Sequence, residues 1–451
     1  MPDARAAYLA RRDALVAGMH AQGTAAPLGL AKGTSNLFRD RSEGSKQRLD
    51  LHHFCHVIEV APGQGWVDVE GLCTYENLVA GTLQRGAMPA VVPQLKTITI
   101  GGAAAGVGIE ATSFRHGLVH DTLLELDVLL PHGEIVTCTP ENDRRDLFFG
   151  FPNSYGTLGY ALRLRARVLP VKKYVRVEHE RSHDAQRFFD LLAARCGGPA
   201  DFVDGVVFNA NEYVLNTGVF VDEAPWQSDY TYENIYYKSL LEKEVDYLTA
   251  HDYVWRWDTD WFWCSRAFGV QDPRIRRLWP RRYRRSSFYW KLIGYDQRFN
   301  IADRIEKLNG RPPRERVIQD VELPIERAGE FLDWFLDNVP IEPLWLCPLR
   351  LRADGEWPLY PLRPHHTYVN VGFWSSVSVG PDWPSEEGHT NKLIERAVSE
   401  LVGHKSLYSD AFYSPDEFDE LYGGETYKMV KQTYDPDSRL LDLYAKAVQR
   451  R

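Results

Sequence analysis

This chain of 451 residues predicts an α+β fold. Three observations carry that expectation. Short alternating strand patterns are mixed with short helical ones through the first third. Loops of glycine and other small residues punctuate them. The aromatic content (13 Trp, 23 Tyr, 20 Phe) then rises sharply, with few Trp before residue 225. A first module of about 175 residues is therefore expected to be followed by a larger one of different character.

Residues 5–22 read as a helix with an Ala/Leu/Val face. Strands are expected at 54–60 and 66–71, joined by the turn Ala61-Pro-Gly-Gln-Gly65. A helix over 74–83 starts at the cap Thr74 and ends before Gly86. Residues 121–130 and 135–139 read as a hairpin about Pro131-His-Gly-Glu134, and 161–168 alternates as a strand. From Lys172 the chain leaves this module. A helix at 184–196, strands at 202–209, 214–221, 316–324, 343–351 and 367–373, and helices at 326–338 and 388–402 make a second α+β unit. Its polar and aromatic insertion spans 230–299. The division is 1–175, 176–402 and a C-terminal segment 403–451 that returns to the first module.

Composition sets bounds. Hydrophobic residues are 44% and charged residues 25%, ordinary for a globular enzyme. A net charge of −9 disfavours nucleic acid as a partner. No apolar stretch is long enough to span a bilayer, and the N-terminus has no secretory apolar region. The six cysteines lack any Cys-x-x-Cys, which predicts no metal site and a reducing cytoplasm.

The most telling stretch is Thr97-Ile-Thr-Ile-Gly-Gly-Ala-Ala-Ala-Gly-Val-Gly-Ile-Glu-Ala-Thr-Ser-Phe-Arg-His-Gly117. An alternating apolar segment runs into Gly101, Gly102, Gly106 and Gly108. Such a loop bares amide N–H groups and lets backbone approach something flat or phosphorylated. It lacks the strand–turn–helix context and the following acidic residue of a Rossmann fingerprint. Leu30-Ala-Lys-Gly-Thr-Ser-Asn36 precedes it and Phe151-Pro-Asn-Ser-Tyr-Gly-Thr-Leu-Gly-Tyr160 follows it.

Three such loops in this order resemble the FAD domain of the vanillyl-alcohol-oxidase/p-cresol-methylhydroxylase superfamily, which has a two-subdomain FAD module and an α+β cap over the substrate. The resemblance implies FAD held by Lys32, Gly33, Thr34, Ser35 and Asn36, by Gly101, Gly102, Gly106 and Gly108, and by Gly156, Thr157 and Gly159. Lys405 is then expected near the flavin's pyrimidine edge. The first loop has no His and the second no Cys, the residues that commonly carry a covalent link, so FAD is expected to be non-covalent.

Val92-Pro-Gln-Leu95, Gly108-Ile-Glu-Ala-Thr-Ser113, Gly156-Thr-Leu-Gly159, Pro343-Leu-Trp-Leu-Cys-Pro348 and Leu407-Tyr-Ser-Asp-Ala-Phe-Tyr413 further resemble the Δ24-sterol reductases. Those carry an N-terminal membrane anchor that this sequence is expected to lack. The central Tyr253-Val-Trp-Arg-Trp-Asp-Thr-Asp-Trp-Phe-Trp-Cys264 is closer to actinobacterial flavoprotein reductases of tuberculostearic (10-methylstearic) acid synthesis. These reduce a 10-methylene acyl chain made by a partner methyltransferase.

Both resemblances imply NADPH-driven reduction of an isolated alkene in a lipid. An oxidase or dehydrogenase of an alcohol or sugar is the alternative in the same superfamily. Reducing an unactivated alkene needs an acid on one face, hydride on the other and a dry slot between. Glu110 is one candidate acid, or else a carboxylate bonded to the cofactor or to loop amides. Tyr408 with Asp410 is a second candidate, or a structural pair. His116 is a candidate relay, or a solvated loop residue.

Trp255, Trp257, Trp261 and Trp263 read as core or as part of an interface. Arg274, Arg276, Arg277, Arg281, Arg282, Arg284 and Arg285 read three ways: a patch for anionic membrane at the inner face of the cell membrane, a salt-bridged face, or a phosphate clamp for NADPH.

Overall fold

The computed structural model describes residues 3–22, 26–31, 38–39, 46–299, 310, 312, 314–352, 356–379 and 387–451. Two antiparallel sheets dominate it. In the N-terminal module, β1 (Leu28–Ala31) and β2 (Gln47–Asp50) form a small parallel pair. The first large sheet comprises β3 (Val57–Ala61), β4 (Trp66–Glu70), β5 (Ala87–Pro89), β6 (Leu123–Leu129), β7 (Ile135–Cys138) and β8 (Tyr160–Pro170). Its order is β3-β4-β8-β6-β7, with β5 on the far end of β8.

β8 is the central strand, and its residue alternation explains both faces. Leu164, Ala166 and Val168 enter the main core, while Arg163, Arg165 and Arg167 face the other way. Arg163 is buried against Asp68 (2.8 Å), Asp127 (2.7 Å) and Glu125. The helix Ala4–Gln22 roofs this polar face: Arg5 bonds Asp68, the Tyr8 hydroxyl donates to Asp127 (2.7 Å), and Arg11 meets Glu70. Removing Arg163 alone would leave buried carboxylates uncompensated, at a cost of roughly 3–5 kcal/mol.

The second sheet comprises β9 (Tyr174–Ser182), β10 (Phe202–Asn209), β11 (Glu212–Val221), β12 (Val245–Thr249), β13 (Arg314–Pro324), β14 (Leu344–Arg350), β15 (Thr367–Ser378) and β16 (His404–Lys405). Its order is β12-β9-β11-β10-β14-β15-β13-β16. The helices Ala185–Cys196, Ile325–Asn338 and His389–Glu400 cover one face, burying Phe188, Phe331, Phe335, Leu346 and Val371. Neighbouring residues in the same strands, such as Trp345, Cys347 and Trp374, point to the opposite face, toward the N-terminal module.

Two expectations change. The Ile98–Ile100 alternation does not continue as a strand into a loop. Thr99 caps a helix, Ile100–Ala105, by accepting from the Gly102 amide (3.2 Å). The cap and the following alanines outweigh a two-residue alternation. The 230–299 insertion, read as polar and aromatic with no strand assigned, also contains β12, which adds an edge to the second sheet by pairing with β9.

The C-terminal helices Pro415–Leu421, Gly424–Tyr434 and Leu443–Ala447 pack back on the first module. Lys431 Nζ donates to the Thr157 carbonyl (2.8 Å), and Lys446 Nζ to the Tyr155 carbonyl (2.5 Å). No helix among the described residues is long and apolar enough to cross a membrane.

Candidate flavin and substrate cavity

A cavity of about 720 Å³ opens between the two sheets. One wall comes from the glycine-rich segments, with Gly101, Gly102, Gly106, Gly108, Gly156 and Gly159 all lining it. The glycines allow backbone to pack on backbone. A Cβ on Gly101 would lie 2.6 Å from the Gly71 carbonyl oxygen, to which the Gly101 amide donates at 2.8 Å. Gly159 has φ +134°, and a Cβ there would meet Val128 at 2.6 Å. Removing side-chain bulk here keeps the wall flat.

Basic side chains line the cavity as well, including Arg39, Lys46, Arg48, Lys446 and Arg451. Gln94 also lines the cavity, and its buried Nε2 has no hydrogen-bond partner among the described residues. A buried donor of this kind calls for an acceptor from a bound group. The volume, flat wall, basic side chains and orphaned amide together fit a flavin dinucleotide.

The other end is aromatic. Phe38, Trp261, Phe262, Trp345, Trp374 and Tyr408 line it. Phe262 stacks on Trp374 with ring centroids 4.3 Å apart, and Phe38 on Trp261 at 5.6 Å. Trp261 (φ +46°) and Phe262 (φ +58°) both sit in the left-handed region. Bulky residues rarely adopt it, and such strain concentrates where the surroundings fix a site.

One carboxyl group lines this aromatic end. Asp320, on β13, is half-buried, and desolvation pushes its pKa up to about 6 even though Asn370 Nδ2 donates to it at 3.0 Å. Asp320 also hydrogen-bonds the Tyr408 hydroxyl, which accepts from Trp374 Nε1 at 3.0 Å. Burial holds the Tyr408 phenol well above its ordinary range.

The structure distributes the sequence-predicted residues unevenly. Lys32, Gly33, Thr34, Ser35 and Asn36 lie outside the described residues. The six glycines come together at the cavity wall, but Thr157 does not reach it: its hydroxyl is buried and donates to the Ser154 carbonyl (2.8 Å). Lys405 is fully buried away from the cavity, with Nζ on Glu395 (2.5 Å) and on the Asp410 carbonyl (2.5 Å).

Of the candidate acids, only Tyr408 lines the cavity. Its carboxyl partner is Asp320, because Asp410 is turned away to Arg316 (3.1 Å) and Arg450 (3.3 Å). Glu110 sits behind the wall at 3% exposure. Its Oε1 accepts from Arg256 (3.0 Å), which also holds Asp204 (2.7 Å). Trp345 reaches the same cluster from the cavity wall by donating to Asp204 (3.2 Å). Burial raises Glu110 to about 7 against the pull of Arg256, and its Oε2 has no partner among the described residues. His116 is outside the lining, and burial with Arg352, Arg115 and Arg167 lowers it to about 4.

Asp320 and Gln94 were missed from the sequence. The available signal for Asp320 was the polar run Gln319-Asp320 inside the strand expected at 316–324.

Comparison with known proteins agrees with this geometry. Residues 12–139 match the family model of an FAD binding domain. The Delta(24)-sterol reductase of Homo sapiens is 26% identical over 409 residues, covering 86% of this chain and 75% of that protein. The Delta(24)-sterol reductase of Arabidopsis thaliana is 25% identical over 442 residues, covering 88% and 76%. Cytokinin dehydrogenase 10 of Oryza sativa subsp. japonica is 29% identical over 215 residues, covering 43% of this chain and 39% of its own length. The chain is an FAD-dependent oxidoreductase.

Proposed function

We propose that this enzyme reduces an isolated carbon–carbon double bond in a lipid chain, with NADPH as electron donor, and that its substrate is the 10-methylene acyl group of a phospholipid. The observation that carries the reading is the Asp320–Tyr408 pair in an aromatic-walled cavity beside the glycine wall. An alcohol-oxidising site needs a base, whereas an alkene-reducing site needs a protonated acid in dry surroundings. Desolvation raises Asp320 to about 6, so its protonated form is populated in mildly acidic solution, where an ordinary aspartate is ionised.

Gly101, Gly106, Gly156 and Gly159 with Gln94 would hold the cofactor, and the basic side chains would neutralise its diphosphate. When bound and reduced by NADPH, the flavin would supply hydride to one carbon of the double bond. The protein's part is the proton for the other. With Asp320 ionised, the Tyr408 hydroxyl donates to it. With Asp320 protonated, Tyr408 Oη accepts from both Asp320 and Trp374 Nε1, which frees its own proton for the substrate's less substituted carbon. Asp320 then restores that proton. The ring of Trp261, Phe262, Trp345 and Trp374 excludes water and packs the apolar chain.

A lipid methyltransferase is the class of enzyme that would supply a methylene substrate. The second reading, a sterol side-chain reductase, draws on the likeness to the human and Arabidopsis Delta(24)-sterol reductases. Anaerobic mixing tests both. The flavin absorbance is expected to bleach with NADPH and return on adding the 10-methylene lipid. Return only with a Δ24-sterol selects the second reading. Bleaching by an alcohol, with recovery by oxygen, overturns both.

A further inference from the structure

The arginine-rich segment divides into two populations. Arg276 and Arg284 are buried. Arg276 bonds Asp260 (2.7 Å) and the carbonyls of Tyr232 and Asn234, and Arg284 bonds the carbonyls of Tyr232 and Trp279. They form the scaffold. Arg274, Arg277, Arg281 and Arg282 remain exposed. Beside them Leu278 is 84% exposed and Ile275 43%, among the largest apolar exposures of the described residues. No acidic residue occurs between Pro273 and Arg285, in a chain of net charge −9. The nearest carboxylate in sequence, Asp272, is engaged as the cap of the helix Pro273–Leu278, accepting from the Arg274 amide (2.8 Å).

We propose that this face docks on an anionic phospholipid bilayer, with Leu278 and Ile275 inserting among the acyl chains and the four exposed arginines engaging phosphate head groups. Exposed Leu278 and Ile275 in a segment with four exposed arginines match a lipid surface, which is apolar below and anionic above, although Glu233 and Glu242 share a surface pocket with Arg274 and Arg277. An acidic protein partner would satisfy the arginines but leave the leucine without a complement. The scaffold also stiffens the patch, because Arg281 stacks on Tyr232 (4.3 Å) and Arg282 on Tyr283 (4.7 Å).

The patch connects to the cavity. Trp279 and Tyr283 pack on Phe288, and two residues later Trp290 meets Phe38 (4.9 Å) and Trp261 (6.0 Å), both of which line the cavity. A bilayer held at this face would lie against the same structural unit that walls the lipid site.

The test is co-sedimentation of the full chain with phosphatidylcholine vesicles, with and without phosphatidylglycerol. Partitioning is expected only with the anionic lipid and to fall as salt rises. Each arginine near such a surface contributes roughly fivefold. R277E/R281E is therefore expected to lower partitioning by at least about tenfold, and L278E to lower it while leaving the bound-flavin spectrum intact. Equal sedimentation with both vesicle types, no sedimentation with either, or sedimentation unchanged in both variants overturns the proposal. None of these readouts depends on turnover, so failure here is distinguishable from failure of the alkene-reductase reading.

Discussion

Trp374 Nε1 donates to the Tyr408 hydroxyl at 3.0 Å, so that hydroxyl enters the cavity already oriented by one donor and hydrogen-bonded to Asp320. Three segments distant in sequence thereby fix one potential proton path.

Asp320→Asn and Tyr408→Phe are expected to slow the alkene half-reaction by about 10²–10⁴-fold while leaving reduction of the flavin by NADPH within a fewfold of normal. Stopped-flow flavin absorbance separates the two. The wild-type alkene step should decline as pH rises through about 6, where Asp320 loses its proton, and the variant Asp320→Asn should lack that decline. A variant that retains both rate and pH profile assigns the proton elsewhere.

Glu110→Gln is expected to alter the pH dependence of stability. The Glu110 pKa is raised in the folded protein, from 4.5 to about 7. The folded state then binds more protons than the unfolded one across that interval, so this group's contribution is fully present below about pH 4.5 and is lost as pH rises through 7. Urea denaturation between pH 4.5 and 8 should show a slope in the wild type that the glutamine variant flattens, by an amount on the order of 3 kcal/mol.

Gly101→Ala places a methyl group 2.6 Å from the Gly71 carbonyl oxygen, a backbone atom that has no rotamer to retreat into. A loss of about 1–3 kcal/mol and weaker FAD retention are expected, read by thermal denaturation and by flavin released on gel filtration.

Denaturation with acid should leave the polypeptide colourless and the supernatant yellow, since FAD is expected to be held without a covalent link. Colour that stays with the precipitate refutes this.

The strand and helix order was largely legible. β8 announced itself through Leu162, Leu164, Ala166 and Val168 alternating with arginines, and the helix expected at 184–196 forms over Ala185–Cys196, where Asp184 accepts from the Arg187 amide (2.7 Å). The glycine wall was legible because small residues cluster in sequence. Asp320 was not, since its role depends on the register that sets β13 beside β15 and on a tyrosine 88 positions later. Nor was the division of the arginines. Arg276 and Arg277 are adjacent, yet one is buried against Asp260 and the other exposed. Asp410 was paired with Tyr408 by proximity along the chain, where three-dimensional proximity favours Asp320.

Lys431 and Lys446 tie the C-terminal helices to the carbonyls of Thr157 and Tyr155, next to the third glycine-rich turn. That turn therefore acquires its native anchorage only after the C-terminal helices have been synthesised. During translation the N-terminal sheet has time to form well before these clasps arrive. Secure uptake of the prosthetic group is thus a late step in maturation, and a ribosome stalled before Gly424 should carry a nascent chain that binds flavin poorly.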